Sequence, residues 1–162
     1  MKAMMIAAVS VCAFALPAAA QAQAMTPGQY VAAAGAGDLY EKQSSQIVLS
    51  STTNPAVRDF AQMMIKHHTK STADVKKAAM ASKVKVMPPK LTPAQSEMIA
   101  QLNTEKGQAR DMAYISQQKM AHNQALAVHQ AYAREGTAKP LRAAAGMIVP
   151  VVEQHIAMLK TM

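Results

Sequence analysis

Three dipeptides constrain the fold of this chain more than any other feature. Thr26-Pro27, Asn54-Pro55 and Thr92-Pro93 each set a helix-capping side chain directly before a proline. The fixed φ and missing N–H of proline suit the first helical position, so each pair marks a helix start. Gln95 follows Thr92 by three residues and completes a capping-box pattern. Gly136-Thr137 closes one helical run before another opens near Ala138–Pro140. These signals predict α1 over 27–51, α2 over 55–82, a Pro-Pro loop around Met87–Lys90 and a third helical region from 93 to 135. That region is too long for one straight partner, since about 43 residues extend ~64 Å against ~40 Å for its neighbours. A break near Gly107 resolves the mismatch, leaving a short helix α3 at 93–105 and a long α4 at 108–135. The last helix, α5, covers 139–161 and contains Pro150, where a lost hydrogen bond predicts a kink. With no strand-like alternation and no long repeat, the expected architecture is all-α. It is a four-helix bundle with an extra short helix before the third long one.

The first 24 residues read as a cleavable export signal, leaving one domain over 25–162. Lys2 supplies a positive n-region, Ala3–Leu16 is apolar and uncharged, and Pro17 breaks it. Ala18-Ala19-Ala20, Ala20-Gln21-Ala22 and Ala22-Gln23-Ala24 are overlapping small-x-small cleavage sites. The mature chain is expected to start at Gln21, Gln23 or Met25, in the periplasm or elsewhere outside the cytoplasm. The apolar run of about 14 residues falls short of the ~20 that cross a bilayer. Cys12 lies in the segment, but Val9-Ser10-Val11 makes a poor lipidation site. The single cysteine of the chain leaves with the signal, which excludes disulfide, thiolate and cysteine-metal chemistry from the mature protein.

The net charge is +8, and much of it lies in Lys66, Lys70, Lys76, Lys77, Lys83, Lys85 and Lys90, with Asp74 the only acid among them. This 66–90 stretch reads either as a solvated face or as a weak association surface for the anionic envelope. No aromatics interleave the lysines as a nucleic-acid platform requires, so nucleic acid is not an expected partner. Aromatic residues make up 4% of the chain and tryptophan is absent. Alanine and methionine must therefore fill the core.

Each long helix carries an apolar stripe at spacings of three and four, and each stripe has a polar interruption. The stripes are Tyr30, Ala34, Gly37, Glu41, Ser44 and Val48 in α1, and Val57, Phe60, Ala61, Met64, His68, Ser71 and Val75 in α2. They continue as Asp111, Ile115, Gln118, His122, Ala125, His129 and Tyr132 in α4, and Leu141, Ala144, Ile148, Val151, His155 and Leu159 in α5. Glu41, His68, His122 and His155 therefore point inward. For an up-down-up-down bundle with the α1–α2 and α4–α5 hairpins at one end, they lie ~17, ~23, ~22 and ~28 Å below that end. Three fall within about one turn and His155 one turn further, while Asp111, at ~38 Å, is out of reach. One carboxylate and two or three imidazoles could bind a transition metal. The same residues could equally form a hydrogen-bonded core network, and that is the favoured expectation. No Glu-x-x-His occurs, which argues against di-iron chemistry. Met63–His67, Met64–His68, Met120 near His122, and His155–Met158 would suit Cu(I), but these pairs do not share a face and read as core filling. His67 lies one position off the stripe and is expected to face solvent. His129 is expected to be structural. No Gly-rich phosphate loop and no Ser or Thr with a base at motif spacing supports hydrolase chemistry.

Taken together, Tyr30, Glu41, Asn54-Pro55-Ala56-Val57, Phe60-Ala61-Gln62-Met63-Met64, His68, Gly107, Asp111, Tyr114, His122 and Val149-Pro150 with His155 resemble the DUF4142 family of exported bacterial proteins. The resemblance implies a ferritin-like helical bundle and no particular activity. The family's usual Asp-His in α2 is His67-His68 here, and the aromatic usually before Asp111 is Arg110. The expected function is that of a non-catalytic binding or stress-related envelope protein. The alternative is a transition-metal-binding or metal-dependent redox protein using Glu41, His68, His122 and His155.

Overall fold

The computed structural model describes residues 24–162. The expected export signal therefore lies almost wholly outside the described residues. Five helices follow one another: α1 (Pro27–Leu49), α2 (Pro55–Ala81), α3 (Pro93–Thr104), α4 (Gly107–Glu135) and α5 (Lys139–Leu159). No strand occurs among the described residues, and no described helix is long and apolar enough to cross a membrane.

The starts follow the cap chemistry. Thr26 accepts from the Gln29 N–H while the Gln29 side chain accepts from the Thr26 N–H. Thr92 and Gln95 repeat this reciprocal pair, and the Asn54 side chain accepts from the N–H groups of Ala56 and Val57. Each arrangement satisfies N–H groups that a helix start leaves unpaired. Gly107 has φ +54°, a conformation that costs glycine little. It separates α3 from α4 at the expected position. Near the other end of the connection, Pro89 crosses α1 so closely that a Cβ on Gly35 would lie 3.2 Å from the Pro89 Cβ.

The helix directions differ from the up-down-up-down expectation. Thr52, in the α1–α2 loop, donates to Asp111 near the start of α4. Arg110 reaches the Ile47 carbonyl and the Ser50 and Ser51 hydroxyls. At the other end, the Tyr30 hydroxyl of α1 is hydrogen-bonded to His129 Nδ1 of α4, and Tyr30 stacks on Tyr132 with ring centroids 4.0 Å apart. The two hairpins thus sit at opposite ends of the bundle, and the connection carrying α3 runs the full length between them. Every neighbouring pair of long helices is antiparallel as a result: α1 with α2, α4 with α5, α1 with α4, and α2 with α5. The physical reason is the length of the 82–106 segment, which can span the bundle where a short turn cannot. α3 then lies against α1 and α4. It is anchored by Leu102, its single buried residue, and by Gln117, which donates to Met98 and Gln101.

Two apolar clusters result. One surrounds Val48, Val57, Phe60, Met64, Tyr114 and Leu159 at the α1–α2 end. The other surrounds Tyr30, Val75, Ala79, Tyr132, Leu141 and Ile148 at the α4–α5 end. Between them the core is polar. In α5 the stripe departs from expectation. Val152 is buried and Val151 is 37% exposed, because the turn after Ile148 is taken as four residues and not three. α5 runs unbroken through Pro150.

A candidate metal centre between two apolar clusters

The polar layer holds the four residues singled out by the sequence, together with Asp38, Ser44 and Gln118. All are buried. Side chains lean toward the N-terminus of their own helix. α4 and α5 are antiparallel, so His122 and His155 lean toward each other. This closes the one-turn gap that a count along the helix axes predicts: His122 Nε2 and His155 Nδ1 are 3.2 Å apart.

One ring nitrogen from each of His68, His122 and His155 lies within 4.8 Å of the other two. Hydrogen bonds show which nitrogens are free to converge. His68 Nδ1 donates to Asp38 Oδ1 at 2.8 Å, leaving Nε2 buried with no partner. His122 Nδ1 donates to the Gln118 carbonyl at 3.0 Å, which leaves Nε2 as a lone pair. His155 Nε2 faces His67 Nδ1 at 2.8 Å, leaving Nδ1 on the inner side. Each inward imidazole is thus oriented by a second group on its far nitrogen, the arrangement that fixes metal-binding histidines. Phe60 closes the layer from one side, with ring centroids 6.2 Å from His122 and 6.4 Å from His155.

Glu41 is placed differently from the three histidines. Its Oε1 is 3.6 Å from His122 Nδ1, behind the ring and away from the converging nitrogens. Its Oε2 has no partner. Asp111 stays at the α1–α2 end with Thr52, remote from the cluster as expected. His129 accepts from Tyr30 near the opposite end.

Electrostatics keep most of the cluster uncharged. Burial, then the neighbouring His122, His68 and His67, pushes His155 down to about 3. Burial also lowers His122, against the opposing pull of Glu41. Burial acts on His68 in the same direction, but its hydrogen bond to Asp38 and the charges of Glu41 and Asp38 outweigh it and leave His68 raised. Neutral imidazoles with free lone pairs are the form that binds metal. With His155 in its Nε2–H tautomer, donating to His67, the inward nitrogens of His122 and His155 are available without loss of a proton, and a metal ion would displace the Nε2 proton from any protonated His68.

Two residues of this layer were missed or misplaced by stripe reasoning. Asp38 belongs to the equally regular series 34, 38, 41, 45, 48, and it is buried against α2, where it meets His68 and Thr72. His67 was expected to face solvent, yet it is half-buried and bonded to His155. The series 60, 64, 67, 71 would have shown it.

A cleft of 590 Å³ between α2 and α5 reaches the layer, with Asp38, His67, His68 and His155 among its lining. A smaller one of 130 Å³ touches Asp38, Glu41 and His68 from the α1–α4 side.

The family profile described as "Domain of unknown function (DUF4142)" matches residues 13–162. The chain belongs to the DUF4142 family. No curated protein matches it significantly. Among solved structures it is similar to a DUF305 protein from Streptomyces coelicolor, named as a candidate secreted protein. That likeness has a TM-score of 0.65 at 17% identity over 85% of this chain and 90% of the other. At that identity it speaks for the all-α bundle fold alone.

Proposed function

We propose that this DUF4142 protein is an exported holder of a divalent transition-metal ion, bound by His68 Nε2, His122 Nε2 and His155 Nδ1. The observation that carries the reading is the unpartnered, buried Nε2 of His68, converging with two other oriented imidazoles. A buried polar atom without a partner is rare in a folded protein, and a metal ion supplies one. Three imidazoles suit zinc, copper, iron or nickel. Tetrahedral coordination at ~2.0–2.1 Å needs only small ring movements from nitrogens this close. Export is supported by the signal-like first 24 residues and by the name of the Streptomyces coelicolor neighbour.

The test is titration of the purified, EDTA-stripped protein with Zn²⁺ and Cu²⁺ against a competing chelator. His68→Ala, His122→Ala and His155→Ala should each abolish binding at one equivalent. Wild type alone should gain urea resistance from the metal. A second reading, a polar layer kept for packing, is favoured by the continuous His122–His155–His67 chain of hydrogen bonds. It predicts that each alanine variant loses ~1–3 kcal/mol in EDTA and that metal changes nothing. The basic 66–90 stretch is a separate proposal for weak association with anionic envelope lipid. Co-sedimentation with anionic vesicles should be lost at high salt.

A further inference from the structure

The cleft between α2 and α5 has a chemistry that a bare metal holder does not need. At 590 Å³ it is within the ~300–1,000 Å³ range of small-molecule sites. Its α5 wall is apolar, built on Ala144, Ile148, Val151 and Met147. Two of these leave hydrocarbon uncovered, Met147 at 66% and Val151 at 37% exposure. The lining holds two lysines, Lys70 and Lys77, and two acids, Asp74 and Asp38; Lys70 is paired with Asp74 at 2.5 Å, and Asp38 is taken up by His68 and Thr72. Lys77 is the lining cation left without an acidic partner. At the inner end lie His68 and His155, two of the three proposed ligands, and Ser71, whose hydroxyl oxygen is buried without a partner.

An ion with three protein ligands keeps a further position for water or an outside ligand. His68 and His155 line the cleft, so an outside ligand at that position would be reached from it. We propose that the cleft binds a medium-chain carboxylate whose head group occupies the ion's open position, with its hydrocarbon chain along α5. The inference rests on the metal reading above. One carboxylate oxygen would meet the ion and the other would accept from Ser71 Oγ. The chain would cover Ile148, Val151 and Met147, and the ion together with Lys77 would favour the anion over the corresponding alcohol.

The experiment uses the protein loaded with Co²⁺, whose visible absorption reports a new oxygen donor, titrated with acetate, butanoate, octanoate and octanol. The expected result is a spectral change for the carboxylates only. Its midpoint should fall by up to about four-fold per added methylene that is buried. Val151→Glu and Met147→Glu, at exposed positions that tolerate a charge, should each weaken octanoate at least ten-fold and leave Co²⁺ uptake unchanged. If Co²⁺ binds but octanoate leaves the spectrum unaltered, the inference falls and the metal reading stands. The same holds if chain length and both variants have no effect, or if octanol competes equally. If Co²⁺ does not bind, the metal reading falls and takes this inference with it.

Discussion

Asp38→Ala removes a residue that touches no proposed ligand nitrogen, so it separates orientation from coordination. Asp38 Oδ1 accepts from His68 Nδ1 at 2.8 Å, and Oδ2 accepts from Thr72 at 3.0 Å. Thr72 keeps another acceptor, the His68 carbonyl, so the stranded group is the His68 Nδ1–H. Leaving one buried donor unpaired costs ~1–3 kcal/mol, which sets the expected loss of the EDTA-treated protein in urea. The Asp38 hydrogen bond and charge that raise His68 would also vanish, leaving burial opposed only by the charge of Glu41 and favouring the neutral ring more than in wild type. For the metal-loaded protein, loss of an orienting carboxylate typically weakens affinity ~10–100-fold. Metal at ~100 times the wild-type Kd stabilises by about 2.7 kcal/mol. After a hundred-fold loss the same concentration contributes only about 0.4 kcal/mol. Asp38→Asn keeps an oxygen for the ring and should recover most of the apo stability. Chelator competition and paired urea melts, with and without metal, measure both quantities. A metal affinity within two-fold of wild type in Asp38→Ala would refute the claim that Asp38 aims His68 at an ion.

Other consequences can be checked more briefly. Burial holds His129 at about 4, below its ordinary value of 6.5; the unfolded chain therefore binds the proton first, and stability is present above pH ~6.5 and lost as pH falls toward 4. Urea melts in EDTA should show that fall, and His129→Gln should flatten it; equal slopes would exclude His129 as the source. Leu102 is α3's only buried residue, so Leu102→Ala should cost ~2–5 kcal/mol, and an unchanged urea midpoint would mean that α3 is not docked by it. Mass spectrometry of protein from the native envelope should find an N-terminus between Gln21 and Met25; an intact Met1 or a lipid on Cys12 would remove the export reading.

The elements of this fold are legible because their signals are local. Thr26, Asn54 and Thr92 cap the helices that follow them, and Gly107 breaks the third region at a positive φ. Every helix end falls within about two residues of its expected place. The assembly is less legible. Nothing near Met87–Lys90 states that the connection runs the length of the bundle, so the ends from which α4 and α5 are counted were reversed. Stripe reasoning turned His68, His122 and His155 inward, where the structure buries them close together. It took one narrow stripe per helix, and so passed over Asp38, which faces α2, and His67 beside the cleft. Val151 and Val152 show the same limit, since three- and four-residue steps are equally regular and only packing chooses between them.

The long crossover divides the proposed ligands between two halves of the chain. His68, with its partner Asp38, belongs to the first hairpin, and His122 and His155 belong to the second. Neither hairpin alone offers more than two of the three nitrogens, so an ion at this site would act as a non-covalent staple between the two halves. Its retention would then report whether the halves are docked, independently of whether the chain between them is intact. A protease cut in the 82–92 segment would leave two fragments still joined by the two apolar clusters, and these should separate at a lower urea concentration with a chelator than with the metal.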